Sequence, residues 1–166
     1  MELIAAAAFG LEGIVKQELV DLGFDAKAEQ GGARFKADMA GAFRANLHLA
    51  CADRVLLVMG EQQATSFEEL FEFVLSLPWE DILPRDAVFP VSGNCVRSQL
   101  MSVSDCQSIT KKAIVERLKR KYRLDWFPET GSVYPINVTI HRDRARLTMD
   151  TSGDALNKRG YRTWVG

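Results

Sequence analysis

The apolar residues of the chain follow two kinds of pattern, which together predict four helices and seven strands. Ile14, Val15 and Leu19 recur at the three- and four-residue spacing of a helix that buries one side. Residues 136–140 alternate between apolar and polar side chains, as in a strand with one buried face. The predicted helices span residues 11–22, 38–49, 66–75 and 104–122. The predicted strands span residues 2–8, 24–29, 33–37, 53–59, 87–96, 134–141 and 144–148.

The order of these elements predicts an α+β protein built from two units. The first six elements run strand–helix–strand–strand–helix–strand and end near Gly60, which is the order of a ferredoxin-like βαββαβ domain over residues 1–60. The remaining helices and strands form a second, α/β domain over residues 61–150. We expect each unit to have its own sheet, and we interpret residues 151–166 as a linker.

Three of the predicted helices begin at residues that commonly cap helices. Asp38 can accept a hydrogen bond from the first turn of the second helix. Ser66 with Glu69, and Ser104 with Gln107, match the capping-box pattern for the third and fourth helices. Gln107 has the alternative role of contacting a ligand.

The second helix draws its apolar groups from large side chains as well as from its alanines. Met39, Phe43 and Leu47 are the large ones. His48 lies in the same apolar stretch, so it is expected to pack within the protein and not to act in catalysis.

Composition places the chain among ordinary globular proteins. Its 166 residues are 47% hydrophobic and 26% charged, which excludes a disordered or low-complexity protein. No apolar run approaches the ~18 residues of a membrane span, so no membrane partner is expected. The three cysteines are an odd number without close pairing, which argues against a disulfide framework or a metal site. A reducing cytoplasm is therefore the expected location.

The net charge is only -1, but the charges are unevenly distributed. Residues 61–96 carry seven acidic and one basic side chain, whereas residues 97–123 carry eight basic and two acidic ones. At about 100° per residue, Lys112, Lys119 and Arg123 fall on one side of the fourth helix. Thr110, Ile114, Leu118 and Tyr122 fall on the other side, which is expected to face the sheet. The basic side is either an ordinary solvated surface or a binding surface for a polyanion.

The segment before this helix adds a second candidate for anion binding. Residues 96–104 join a strand end to a helix N-terminus, where free backbone N–H groups favour phosphate. Arg97, Ser98 and Ser102 can add donors there. The alternative is an ordinary strand-to-helix loop.

Motifs that would indicate an enzyme are missing from the sequence. It contains no glycine-rich dinucleotide or phosphate loop, no G-x-S-x-G and no H-E-x-x-H. His141 is interpreted as a turn residue, with RNA contact as the alternative. Cys95 and Cys106 have no visible activating base. We therefore expect no catalytic, cofactor-binding or metal-binding residue in this chain.

Four stretches of the chain resemble a known family. Residues 89–98 and 104–115 resemble the THUMP domain of RNA-modifying enzymes. Residues 150–162 resemble the segment that joins THUMP to the catalytic domain in bacterial 23S rRNA (guanine-N2)-methyltransferases, and residues 8–12 resemble the N-terminal ferredoxin-like domain of that group. Asn157 stands where the family usually has histidine, which leaves the contacts at that turn open.

The resemblance implies that the chain is the RNA-recognition region of a larger enzyme. A methyltransferase domain that uses S-adenosylmethionine would follow residue 166 in the same protein, and residues 151–166 would lead to it. The expected partner is 23S rRNA, and the expected state is a monomer. The residues expected to contact RNA are Arg97, Ser98, Lys111, Lys112, Lys119, Arg123, Lys158, Arg159 and Arg162.

Two other hypotheses fit the sequence. The chain could belong to another THUMP enzyme, such as a tRNA methyltransferase or a thiouridine synthetase, although residues 152–162 argue against this. It could instead be a ferredoxin-like regulatory protein that binds a small molecule, in which case residues 97–123 would have no affinity for RNA.

Overall fold

A computed structural model describes residues 1–152 and contains the predicted helices and strands in the predicted order. The helices are α1 (Glu12–Asp21), α2 (Met39–His48), α3 (Phe67–Ser76) and α4 (Val103–Tyr122), and a 3₁₀ turn spans Trp79–Asp81. The strands are β1 (Glu2–Ala6), β2 (Ala26–Glu29), β3 (Gly32–Lys36), β4 (Arg54–Gln63), β5 (Val91–Val96), β6 (Ile136–His141) and β7 (Arg144–Asp150).

The seven strands form one sheet in the order β2-β3-β1-β4-β7-β6-β5, so the expectation of a separate sheet in each half is wrong. The main difference lies in β4, which continues to Gln63 instead of ending near Gly60. Glu61 stabilises this extension because its carboxylate accepts hydrogen bonds from two arginines of β7. The Glu61 oxygens lie 2.8 Å from Arg146 Nε and 3.2 Å from Arg144 Nη2.

The described chain divides into two compact units. The N-terminal unit comprises residues 1–58 together with 150–152, and the C-terminal unit comprises Met59–Met149. In the N-terminal unit, β1 lies between β3 and β4 and pairs antiparallel with both, with Leu3 opposite Phe35 and Leu57. Leu3 is fully buried, since the centre of a sheet removes a large apolar side chain from water.

Helix α2 buries its small residues and exposes its large apolar ones. Ala42 and Ala45 are buried, whereas the side chains of Met39 and Phe43 are 70% and 67% exposed. His48 is also exposed, so the expectation that it packs within the protein is wrong. The small buried side chains let α2 approach its neighbours closely. Met39, Phe43 and Leu47, which are spaced four residues apart, therefore lie on the outer side of the helix.

The chain returns to the N-terminal unit at residues 151 and 152. Ser152 Oγ accepts from the backbone N–H of Val55 at 2.7 Å and donates to Asn46 Oδ1 at 2.7 Å. Thr151 Oγ1 donates to the Val55 carbonyl at 2.7 Å and accepts from Asn46 Nδ2 at 3.1 Å. This buried network makes the first residues of the expected linker part of the N-terminal unit.

In the C-terminal unit, β6 pairs parallel with β5 and antiparallel with β7. Trp79 is completely buried, and its indole N–H donates to the carbonyl of Val74 at the end of α3 at 2.7 Å. Phe89, Ile114 and Ile140 are completely buried as well. The hydrogen bond from Trp79 satisfies the only polar atom of this large side chain, which otherwise lies in an apolar core.

The first residue of α4 differs from the prediction. Ser102, not Ser104, is the N-cap, and its hydroxyl accepts from the backbone N–H of Asp105 at 3.4 Å. Gln107 therefore lies too far along the helix to complete a capping box. Asp38 and Ser66 cap α2 and α3 as predicted.

Helix α4 is held to the 3₁₀ turn by one carboxylate. Glu80 accepts hydrogen bonds from Arg117 Nε at 2.9 Å and Nη2 at 2.6 Å, and Lys121 Nζ lies 3.5 Å from the same carboxylate. The hydrogen bonds from Arg117 lower the pKa of Glu80 from 4.5 to about 2. The Glu80 side chain is only 18% exposed, so solvent screens this pair less than a surface pair.

We expect Glu80→Gln to lower the free energy of unfolding by about 2 kcal/mol at pH 7. A carboxyl group with a lowered pKa stabilises the fold above its unfolded pKa of 4.5, and this contribution disappears as the pH falls toward 2. The difference in the free energy of unfolding between wild type and variant should therefore shrink as the pH falls from 4.5 toward 2. Urea denaturation at pH 7, 4 and 3 measures this difference.

Glu116→Gln is the matched control, because Glu116 pairs with Arg120 on the more exposed side of the same helix. This control should change stability by about 0.5 kcal/mol or less. Equal losses in the two variants at pH 7 would show that Glu80 does not anchor α4.

Candidate nucleic-acid interface

The buried side of α4 is the side that the sequence predicts to face the sheet. Thr110, Ile114 and Leu118 are completely buried. Tyr122 is half-buried, and its hydroxyl donates to the carbonyl of Leu83 at 2.6 Å. These contacts fix the rotation of the helix, so the opposite side faces outward.

Three cationic residues, which we call the α4 flank, lie on this outward side or directly after the last residue of the helix. They are Lys112, Lys119 and Arg123. Lys112 and Arg123 are exposed and Lys119 is half-exposed, and none of the three has an ion-pair partner among residues 1–152. At a rise of 1.5 Å per residue, the flank extends over roughly 16 Å. Glu116 on the same side is neutralised by Arg120, which leaves the flank positive.

Lys111, also expected to contact RNA, is held by its own unit. Its ammonium group donates to the carbonyl of Phe89 at 2.9 Å, lies 3.7 Å from the centre of the Phe89 ring and forms an ion pair with Glu129. These contacts link α4 to the segments around residues 89 and 129. Lys111 therefore has a structural role, and its contact with RNA stays a prediction.

Two arginines, which we call the strand-end arginines, lie next to each other at the ends of parallel strands. Val96 and His141 are paired as the last residues of β5 and β6. Arg97 and Arg142 follow them directly, and the backbone N–H of Arg142 donates to the Val96 carbonyl at 3.1 Å. Both side chains are exposed and have no ion-pair partner within the described part of the chain.

Ser98 and Asp143 lock the backbones that carry these arginines. Ser98 Oγ donates to the Val96 carbonyl at 2.9 Å and accepts from the backbone N–H of Asp143 at 3.0 Å. Asp143 Oδ1 in turn accepts from the backbone N–H of Gln99 at 2.7 Å. Ser98 was expected to contact RNA, and the structure shows that its hydroxyl already joins the two loops. Its RNA contact remains a prediction.

The backbone at both arginines is strained. Arg97 has a φ of 49° and Arg142 a φ of 50°, in the left-handed region that residues other than glycine and asparagine rarely adopt. Strained residues of this kind cluster at functional sites, where the surrounding structure holds them in place. The hydrogen bonds of Ser98 and Asp143 supply that restraint here.

Arg142 is absent from the residues that sequence reasoning selected. Its partner Arg97 lies 45 positions earlier, and only the parallel register of β5 and β6 brings the two together. In the sequence, Arg142 and Asp143 lie between two alternating stretches, which predicts a hairpin turn but says nothing about a second arginine. In the structure, both residues of this turn have positive φ.

The strand-end arginines and the far end of the α4 flank lie at opposite ends of the helix. Residues 97–102 lead into the N-terminus of α4, whereas Arg123 is its C-cap in the left-handed conformation. The structure therefore presents two cationic features of one unit, not a single cluster. Lys158, Arg159 and Arg162 lie outside the described residues.

Other kinds of site are not found in the part of the chain that the structure describes. No three histidine, cysteine or acidic side chains come together in residues 1–152 in a way that could hold a metal ion. Within the same range, no helix combines the length and hydropathy needed to span a membrane.

Comparison with known proteins supports the division of the chain into two units, because a different family model matches each of them. The family model of the RlmL ferredoxin-like domain matches residues 2–56. A crystal structure from Listeria monocytogenes, described as "a predicted N6-adenine-specific DNA methylase", is 52% identical, with a TM-score of 0.95 over 99% of this chain and 44% of its own.

Two curated relatives are also similar. The Bacillus subtilis protein named "Putative RNA methyltransferase YpsC" is 43% identical over 99% of this chain and 43% of its own length. The "Ribosomal RNA large subunit methyltransferase K/L" of Syntrophotalea carbinolica is 30% identical over 98% of this chain and 23% of its own length. The chain thus spans less than half the length of these relatives.

The family model of the THUMP domain matches residues 64–150, which are more than half of the chain and include the strand-end arginines and all of α4. The predicted resemblance to THUMP proteins is therefore confirmed, and this chain belongs to the THUMP-domain family.

Proposed function

We propose that this chain is the RNA-recognition part of an RNA methyltransferase. The observation that carries the proposal is the pair of strand-end arginines, exposed, unpaired within residues 1–152 and held side by side in a THUMP unit. Two arginines on adjacent backbone segments can each donate paired hydrogen bonds to phosphates of one nucleic-acid strand. The names of the Bacillus and Syntrophotalea relatives support RNA methylation as the purpose of binding.

Binding would rest mainly on phosphate contacts. The α4 flank runs along an exposed helix and offers cations at intervals of roughly 10 Å and 6 Å, from Lys112 to Lys119 and from Lys119 to Arg123. Such an arrangement follows a backbone better than it reads base edges, because lysine is a point charge without a fixed hydrogen-bonding pattern. Selectivity would then come from the shape of a structured RNA.

The finer proposal is that the substrate is 23S rRNA and that the methylated atom is N2 of guanine. The Syntrophotalea relative supports the ribosomal substrate by its name. The resemblance of residues 150–162 to the family's joining segment supports guanine N2. We further propose that the protein acts as a monomer in the cytoplasm, with domain boundaries at residues 60 and 150 and a methyltransferase domain after residue 166.

The methyl donor, S-adenosylmethionine, does not fit the described residues. In nucleotide-binding α/β folds, a glycine-rich turn follows a strand and begins the next helix. None of the four strand-to-helix turns in the described part of the chain carries the G-x-G-x-x-G pattern, and the turn between β5 and α4, residues 97–102, contains no glycine. We therefore assign donor binding to the proposed methyltransferase domain and derive no chemical step from this chain.

Binding measurements against three nucleic acids test the proposal. We expect the chain to bind structured 23S rRNA fragments more tightly than duplex DNA or unstructured RNA of the same length. The affinity for rRNA should fall with salt, with a log–log slope between about -3 and -5 if five cations contact phosphates. DNA is included because the Listeria relative is described as a DNA methylase. Equal or tighter binding to DNA would favour that second function.

Replacing Lys112, Lys119 and Arg123 together by glutamate should weaken RNA binding and reduce the slope by about 2 to 3. Stability should change little, because exposed substitutions usually change it by about 0.5 kcal/mol or less each. If affinity and slope both stay at the wild-type values, the α4 flank is an ordinary solvated surface. A chain that binds none of the three nucleic acids would instead favour the small-molecule hypothesis.

A further inference from the structure

Two cysteines of the C-terminal unit lie in contact where α4 packs on β5. Cys95 Sγ on β5 and Cys106 Sγ on α4 are 3.7 Å apart. Both sulfurs are free thiols. A disulfide bond is about 2 Å long, so side-chain rotation has to bring the sulfurs less than 2 Å closer to form one.

The close approach of α4 to β5 is built into the sequence of the strand. Gly93 and Cys95 lie on the same face of β5, since side chains two residues apart point the same way. A Cβ placed at Gly93 would meet Gln107 Cγ at 3.2 Å. The absence of a side chain at Gly93 thus lets the first turns of α4 pack tightly on the strand, and this brings Cys106 to Cys95.

The two thiols differ in accessibility. Cys106 is 1% exposed, and burial together with the neighbouring Cys95 raises the pKa of its thiol to about 12. Cys95 is only half-buried, so it is the more accessible of the two residues. Cys51 belongs to the N-terminal unit, where burial and the Glu18 carboxylate raise the pKa of its thiol.

We propose that Cys95 and Cys106 are a redox-active dithiol that takes low-molecular-weight disulfides such as oxidised glutathione. The Cys95 thiolate attacks one sulfur of oxidised glutathione, which releases one glutathione and leaves a mixed disulfide on Cys95. The Cys106 thiol then attacks Cys95 Sγ, and its proton passes to the glutathione thiolate that departs from Cys95. The protein loses two hydrogen atoms, and one glutathione disulfide is reduced to two thiols.

A disulfide bond between Cys95 and Cys106 would close a loop that contains Arg97. Residues 96–105 contain Arg97, Ser98 and the N-cap Ser102, and both ends of this segment would be tied to one covalent link. Oxidation therefore restrains the loop between β5 and α4 without requiring the strand or the helix to move far. The inference stands independently of RNA binding, because it rests on the sulfur geometry alone.

Incubation of the native chain with oxidised glutathione tests this proposal. The number of titratable thiols should fall from three to one, and the protein should become lighter by two hydrogen atoms. Digestion should yield a linked pair of peptides that contain residues 95 and 106. Amide exchange of residues 97–102 should become slower, and a thiol reductant should reverse every change.

Single substitutions separate the two steps. Cys106→Ser should stop the reaction at a stable mixed disulfide on Cys95, whereas Cys95→Ser should leave Cys106 unmodified. Cys51→Ser should form the same bond as the wild type. The proposal is overturned if wild type keeps glutathione on Cys95, if the bond forms only in denaturant, or if Cys51 takes part in it. Unchanged exchange in residues 97–102 would overturn the restraint of the loop.

Discussion

Replacing Arg97 and Arg142 together by glutamate should weaken RNA binding about 100-fold at low salt. Each arginine contributes charge-assisted hydrogen bonds to phosphate, and a tenfold loss for each corresponds to about 1.4 kcal/mol. Arg97 and Arg142 lie beside each other at the ends of β5 and β6, so the two glutamates would repel the same stretch of RNA backbone. Affinity measured by fluorescence anisotropy, with a salt titration, gives both the loss and the change in slope.

Lys27→Glu with Lys36→Glu is the matched control for this prediction. Both lysines are exposed on strands of the N-terminal unit, and the double substitution changes the net charge by the same amount. A loss of less than about threefold is expected, because neither lysine belongs to the strand-end arginines or to the α4 flank. If the control loses as much affinity as the arginine variant, net charge and not the strand-end arginines governs binding.

Ile114→Ala should lower the free energy of unfolding by about 2–5 kcal/mol. Ile114 is completely buried between α4 and the sheet, so the substitution removes apolar contacts and leaves a cavity. Urea denaturation monitored by circular dichroism measures the loss. RNA affinity of the folded fraction should stay at the wild-type value, since Lys112 and Lys119 point away from this side.

Val115→Ala provides the comparison, because Val115 is the next residue on the helix and is only partly buried. This substitution should lower the free energy of unfolding by about 1 kcal/mol or less. Similar costs for the two variants would show that the inner side of α4 has been assigned incorrectly. A large loss of affinity in folded Ile114→Ala would mean that α4 moves and displaces the flank.

The order and type of the helices and strands could be predicted from local patterns. Asp38 and Ser66 cap helices as expected, and Thr110, Ile114 and Leu118 form the buried side of α4. These predictions succeeded because side-chain periodicity and capping depend on residues within a few positions of one another. Element ends were less certain: Ser102 replaces Ser104 as the cap of α4.

The side of α2 that is buried could not be predicted in the same way. Its alanines and its large apolar residues both follow helical spacing, so two faces of the helix are apolar in the sequence. The structure buries Ala42 and Ala45 and leaves Phe43 exposed. The distance between α2 and its neighbours decides between the faces, and that distance is a property of the folded unit.

The candidate site shows the same division between local and long-range information. The basic composition of residues 97–123 is visible in the sequence, and it identified Arg97, Lys112 and Lys119 as candidates. Which cations remain available depends on neighbours far along the chain. Lys111 is held by Phe89 and Glu129, which lie 22 and 18 positions away.

By itself, the sequence determined the succession of elements, the inner and outer sides of α4 and the resemblance to THUMP proteins. These properties depend on residue type and short spacing. Only the tertiary structure decided that β4 continues into one seven-stranded sheet, that Arg142 joins Arg97, and that Cys95 meets Cys106. The physical reason is that strand register and helix packing set these distances, and both arise from many weak contacts between distant segments.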